Sequence, residues 1–221
     1  MDRSKFRLAS LLAAATVLVA VVASAAGCRN LFTTVAYLIR GTDAEAEFKG
    51  LEKKKVVVVC RPVANLSFGN PTAAADLARA VGKALRERGH KIQVIDHQKV
   101  ADWTDKHDWN EFTEVGKALK ADMVLGIDLQ EFVMHQSNTI YQGQAAVALT
   151  VYDCAHDNKV VFEKSLPRTL YPPNIGIQTS DLPEREFRRK FIDVLADQIG
   201  RHFYSHDAHA DVGQDLDALA H

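Results

Sequence analysis

The chain has 221 residues, 47% of them hydrophobic, with 27 basic and 28 acidic side chains and a formal net charge of −1. That length suits one domain plus connecting segments. The near-neutral balance, with nothing that forms a basic patch, excludes nucleic acid as a partner.

The first element is a secretory signal over residues 1–27. Arg3, Lys5 and Arg7 precede an apolar run from Leu8 to Ala26, and the run ends in Ser24-Ala25-Ala26-Gly27 before Cys28. Cations stay on the cytoplasmic side, the apolar run partitions into the bilayer, and small side chains admit a peptidase. Three outcomes fit this leader: lipid attachment at Cys28, an uncleaved helix of nearly the ~20 residues that a span needs, or ordinary cleavage. All three place the rest of the chain outside the cytoplasm.

Residues 28–54 read as a tether, apolar from Leu31 to Ile39 and charged up to Lys53-Lys54-Lys55. Val56-Val57-Val58-Val59 has no polar alternation and predicts a strand buried on both faces. Asn70-Pro71 predicts the start of a helix along Thr72–Arg88, with Leu77, Val81, Ala84 and Leu85 on one face and Gly89 as a left-handed stop. A second strand follows at Ile92–Ile95, then a helix from Trp109 to Leu119. Met123–Ile127, continuing to Val133, is the third strand. Ala145–Val151 alternates as a half-buried strand, turns at Asp157-Asn158, and returns through Val160-Val161-Phe162. After a long connection over 167–183, Asp181 and Glu184 have capping-box spacing. The helix they open carries Phe187, Phe191, Leu195, Ile199 and Phe203 at i, i+4 steps. Residues 205–221 read as a flexible tail. The order β-α-β-α-β-β-β-α predicts an α/β (α+β) domain over 55–204, with one mixed sheet and helices packed on it, preceded by the signal helix.

No phosphate loop, dinucleotide fingerprint, H-E-x-x-H, C-x-x-C or G-x-S-x-G occurs, and no cofactor is expected. Four weaker constellations remain. His202, His206, His209 and Asp211 could meet round a divalent cation if the last helix continues that far; the plainer reading is a polar helix end. Asp102, Asp105, His107 and Asp108 lie between Trp103 and Trp109, the residue types of a saccharide-cleaving site; a solvated loop is the alternative. Tyr171, Pro172, Pro173, Ile175 and Ile177 form a stretch of apolar residues outside any periodic element, suited to a partner-binding loop or to covering a sheet edge. Cys60 and Cys154 each end a β-rich run, as two buried thiols or as a disulfide, which requires Cα atoms within about 7 Å.

The Ala25-Ala26-Gly27-Cys28 stretch resembles the lipobox of bacterial lipoproteins, with Ala25 where Leu is usual. That resemblance implies acylation of Cys28, and Arg29 in place of Asp leans toward the outer membrane. The phrase from Gly116 to Gly126 and the order of elements resemble a group of envelope proteins. The group comprises the amino-terminal domain of the translocation protein TolB, the curli-secretion lipoprotein and the lipoprotein activators of penicillin-binding proteins. Stretches at Ala46–Arg61, Trp109–Phe132, Leu170–Ile177 and Glu186–Asp207 are similar to uncharacterised bacterial envelope lipoproteins. These resemblances imply a non-catalytic, membrane-anchored module of the cell envelope that binds a protein partner or self-associates. The alternative is a ligand- or metal-binding envelope protein, or an enzyme on saccharide or peptidoglycan fragments.

Overall fold

The computed structural model describes residues 43–62 and 71–207. The leader, Cys28, His209 and Asp211 lie outside the described residues. Among the described residues no helix is long and apolar enough to cross a membrane.

The valine run forms the middle of β1 (Lys55–Pro62), and Val56 to Val59 are all buried. It pairs on its two edges with parallel neighbours, β2 (Gln93–Val94) and β3 (Met123–Ser137), and each of its faces lies in one of the two cores. From β3 onward the pairing is antiparallel, to β4 (Ile140–Asp153) and then β5 (Lys159–Ser165). The two short strands β6 (Thr169–Tyr171) and β7 (Ile177–Gln178) pair with the other end of β4. The result is one seven-stranded mixed sheet. Asp157 and Asn158, at the β4–β5 turn, have φ of 57° and 56°. The five-residue loop between the strands places its last two residues in the left-handed region, which Asn and Asp tolerate.

One face of the sheet is closed by α1 (Ala73–Arg88) and α4 (Glu184–Gly200). Leu77, Val81 and Leu85 of α1 and Phe187, Phe191, Leu195 and Ile199 of α4 are buried there, as the 3.6-residue spacing requires. The other face carries a smaller core under α2 (His97–Thr104) and α3 (Phe112–Ala118), built on Val57, Val59, Val100, Phe112, Val115 and Val124.

Several expectations are corrected. The tether expected to run to Lys54 stops short of it, since Leu51 is 1% exposed and Phe48 packs against the larger core. Thr72, not Asn70, is the N-cap of α1. Gly89 is extended with φ −73°, and Lys91 takes the left-handed conformation instead. Pro183 precedes α4 with no side-chain cap, so the Asp181–Glu184 spacing forms no capping box. A capping box forms at Glu111 and Glu114 of α3 instead.

The disulfide is overturned, since Cys60 and Cys154 are free. Cys60 lies in the second half of β1 and Cys154 directly follows β4, but β4 runs antiparallel to β3, so its end lies beside the beginning of β3, which pairs with the beginning of β1. Cys154 N–H donates to Asp122 O, and Asp122 N–H donates to Lys55 O. Cys60 lies five residues further along β1, roughly 16 Å at the rise of a strand. Burial pushes both thiols above their ordinary range.

Candidate functional site

The constellations read from sequence fare differently in three dimensions. Asp102, Asp105, His107 and Asp108 are all exposed. His107 stacks on Trp103 at 4.6 Å and its Nδ1 lies 2.8 Å from Trp103 O. The indoles of Trp103 and Trp109 pack on the smaller core. The carboxylates thus stand round a helix end rather than across a cleft.

At the carboxyl end of β1, where open α/β sheets commonly bind ligands, Arg61 is already engaged. Its guanidinium donates to Asp128 Oδ1 from Nε and Nη2, and to Asn110 O from Nη1 at 2.6 Å. It also lies 4.7 Å from the Phe112 ring centre.

The long connection over 167–183 is tied down at its start and open at its tip. Tyr171 is 8% exposed and stacks on Phe191 at 6.2 Å. The Tyr171–Pro172 peptide is cis. The buried Gln142 donates to Pro172 O at 3.1 Å, and Ile177 pairs with Tyr141. Pro173 is exposed, and Ile175 is 70% exposed.

A cleft of about 570 Å³ lies beside that ridge. Leu166, Leu170 and Pro173 line one side, Gln198, Arg201, His202 and His206 another, and Glu45 and Glu47 a third. Of the Tyr171–Ile177 stretch only Pro173 lines this cleft, together with the His202/His206 pair that lies far from it in sequence. Glu47, which the sequence reading passed over, is its hub. Its carboxylate accepts from Lys164 Nζ and pairs with His202 Nδ1 at 2.8 Å. Lys164 holds the Glu47 carboxyl below the usual carboxylate range. Burial pulls His202 below the usual imidazole value, against the opposing pull of Glu47. His206 Nδ1 faces Tyr204 O at 3.4 Å. Among the described residues no group of three His, Cys, Asp or Glu side chains is arranged to hold a metal ion.

The sheet face under α2 and α3 is covered only in part. The smaller core reaches β4 at Tyr152. Beyond it, Thr150, Ala148, Ala146 and Gln144 of β4 point the same way and are half-buried. Register places Gly126 and Glu163 beside Thr150, Asp128 and Ser165 beside Ala148, and Val133 and Leu170 beside Gln144. Val133 is 39% exposed and Leu170 is 38% exposed. Arg168 pairs with Glu131 at 2.8 Å across the strand between them. No described helix lies on this half of the sheet.

No family model and no curated protein matches the chain. Solved structures similar to it include a variant PelC dodecamer from Paraburkholderia phytofirmans, at 14% identity and TM-score 0.45, covering 73% of this chain and 96% of that one. Lipoprotein GNA1162 from Neisseria meningitidis is 12% identical with TM-score 0.41, over 66% of this chain and 96% of that one. A minor lipoprotein from Acinetobacter baumannii is 16% identical with TM-score 0.31, over 67% and 91%. Bacterial lipoproteins thus figure among the similar structures. Likeness this distant carries no argument about activity or assembly.

Proposed function

We propose that the chain is an exported, non-catalytic binding module of the cell envelope, held at a membrane through Cys28, whose α/β domain docks a protein partner or a second copy of itself. One observation supports the docking role: among the described residues half of one sheet face is left without a helix, and Ala146 and Ala148, which point outward there on β4, are small. A sheet that only meets water presents polar residues on its outer face. Here Ala146, Ala148, Val133 and Leu170 stand among the polar ones and offer a flat surface on which a second layer can lie.

The test is a substitution on that face. Ala148→Arg adds a long cation where a partner would lie. It is expected to change folding stability by no more than about 0.5 kcal/mol, since the site is half-exposed. Chemical crosslinking of membranes should give a defined oligomer or a single adduct with the natural chain, and neither with A148R. A natural chain that stays monomeric and uncrosslinked would refute the docking role. The membrane attachment is tested apart from it, by the mass of the mature N-terminal peptide: a diacylglycerol adduct on Cys28 supports it, and an intact Met1 replaces it with a retained helix.

A further inference from the structure

We infer that the pocket at the β2 edge of the sheet binds a small phosphate monoester, held by Lys83, Arg86 and His97. This goes beyond the docking role and does not depend on it. The docking face lies on β3 to β5, and β2 stands at the other end of the strand order.

The pocket forms where the short edge strand ends. β2 stops at Val94, and the chain turns through Ile95 and Asp96 into α2. α1 and α2 cover opposite faces of the sheet there. The space between them is about 350 Å³. Val58, Ala78 and Val100 line it and are buried. Open α/β sheets commonly take ligands outside the carboxyl ends of their parallel strands.

Gly82 of α1 lines the same space. Glycine inside a helix is less stable than alanine, so its presence there asks for a reason. At every other described glycine an added Cβ would meet an atom closer than 3.0 Å. At Gly82 the nearest atom is Val94 Cγ1 at 3.5 Å, an ordinary contact. Packing therefore does not demand glycine at this position. Its effect is to leave the pocket open where a longer side chain would fill it.

The charge round the pocket is one-sided. Arg79, Lys83 and Arg86 follow one another at three- and four-residue steps on α1, and all three line it. Like charges at that spacing repel. Arg79 is bound by Asp76, but among the described residues Lys83 and Arg86 have no carboxylate partner. From the opposite side comes His97, the first residue of α2, half-buried and without a hydrogen-bond partner among the described residues. Burial, and then the charge of Arg79, hold its pKa below the usual imidazole value. At neutral pH the ring is thus uncharged and donates from one nitrogen. Asp96, the one carboxylate in the lining, is turned aside to cap α2 and accepts from Gln98 N–H at 2.8 Å. The donors converge from two helices. A phosphate monoester carries about two negative charges and three outer oxygens, so several donors can meet it at once. Its organic part would lie on the apolar lining.

The test is calorimetric titration of the full chain, in a neutral detergent, with glycerol phosphate and with dibutyryl phosphatidic acid, which carries the same phosphate on two short acyl chains. At least one of them should bind saturably at one site. Lys83→Gln combined with Arg86→Gln should weaken that binding about tenfold or more, since each cation supplies a charged hydrogen bond. Lys106→Gln combined with Lys159→Gln removes the same charge from exposed positions outside the pocket and should leave binding unchanged. Gly82→Leu should fill the pocket and abolish binding; if circular dichroism shows that variant unfolded, the two charge variants decide alone. No saturable binding of either compound, an equal loss in the two charge variants, or full binding by a folded Gly82→Leu would each overturn the inference. Tighter binding of the acylated compound assigns the site to a lipid headgroup, and equal or tighter binding of glycerol phosphate assigns it to a free ester.

Discussion

On each face of the sheet an aromatic ring lies flat on a glycine. Phe191 of α4 covers Gly143, where an added Cβ would meet ring atoms at 2.7 Å. On the opposite face Phe112 of α3 covers Gly126, where an added Cβ would meet its ring at 2.6 Å. The surroundings differ. Phe191 sits among Phe132, Phe187 and Tyr171 under a 17-residue helix. Phe112 is flanked by half-buried Trp109 and Tyr152 and by the exposed side of Arg61, under a helix of seven residues. Long helices bury the core residues of one face. Among the described residues, short helices close only part of the other face, and the remainder is the surface proposed above for docking.

The largest expected effects break that comparison directly. Phe191→Ala removes a ring from the closed core and should cost toward the upper end of about 3–5 kcal/mol, with Phe112→Ala toward the lower end because its surroundings can collapse. Denaturant titration of both variants checks the order, and a larger loss for Phe112→Ala would contradict the contrast drawn between the faces. The glycines sharpen it further. Gly143→Ala forces a fully buried ring aside and should cost about 1–3 kcal/mol. Gly126→Ala should cost less, because the Phe112 side can shift toward solvent; equal midpoints for the two would count against this.

The smallest effect concerns the segment that enters the domain. His202 has a folded-state pKa below its unfolded value, so the folded chain binds fewer protons. Its contribution is present above the usual imidazole value of about 6.5 and is lost as pH falls through that range. Glu47, whose carboxyl is also held low, adds a loss in the same direction at more acid pH. Thermal melts from about pH 7.5 to about pH 5.5 should show a declining Tm in the natural chain and a flatter profile in His202→Gln. Identical slopes would remove His202 from the account.

Much of the fold could be read along the chain where burial follows a period. The uninterrupted Val56–Val59 run implied a strand covered on both faces, and the i, i+4 aromatics of α4 implied a helix against a core. α2 was missed because only Val100 among its residues is buried, so no apolar period marks it. Its start depends on Asp96, whose side chain accepts from Gln98 N–H. β6 and β7 were read as loop because strands of two or three residues are too short to alternate. The candidate site was only half legible. The exposed tip of the Tyr171–Ile177 stretch follows from its composition, but nothing local connects it with His202 or Glu47.

What the sequence by itself determined is therefore what neighbours along the chain can impose: the central valine strand, the two long amphipathic helices and the Asp157-Asn158 turn. Tertiary structure alone decided what depends on the direction of distant strands and the reach of covering helices. It separated Cys60 from Cys154, because antiparallel β4 carries its end away from Cys60. It drew the segment from Glu45 to Leu51 into the domain, because Phe48 finds Phe162 and Phe203 there. Among the described residues it also left half a sheet face without a helix beside α3. Those outcomes arise from packing between elements far apart in sequence, and no period or spacing within a single element encodes them.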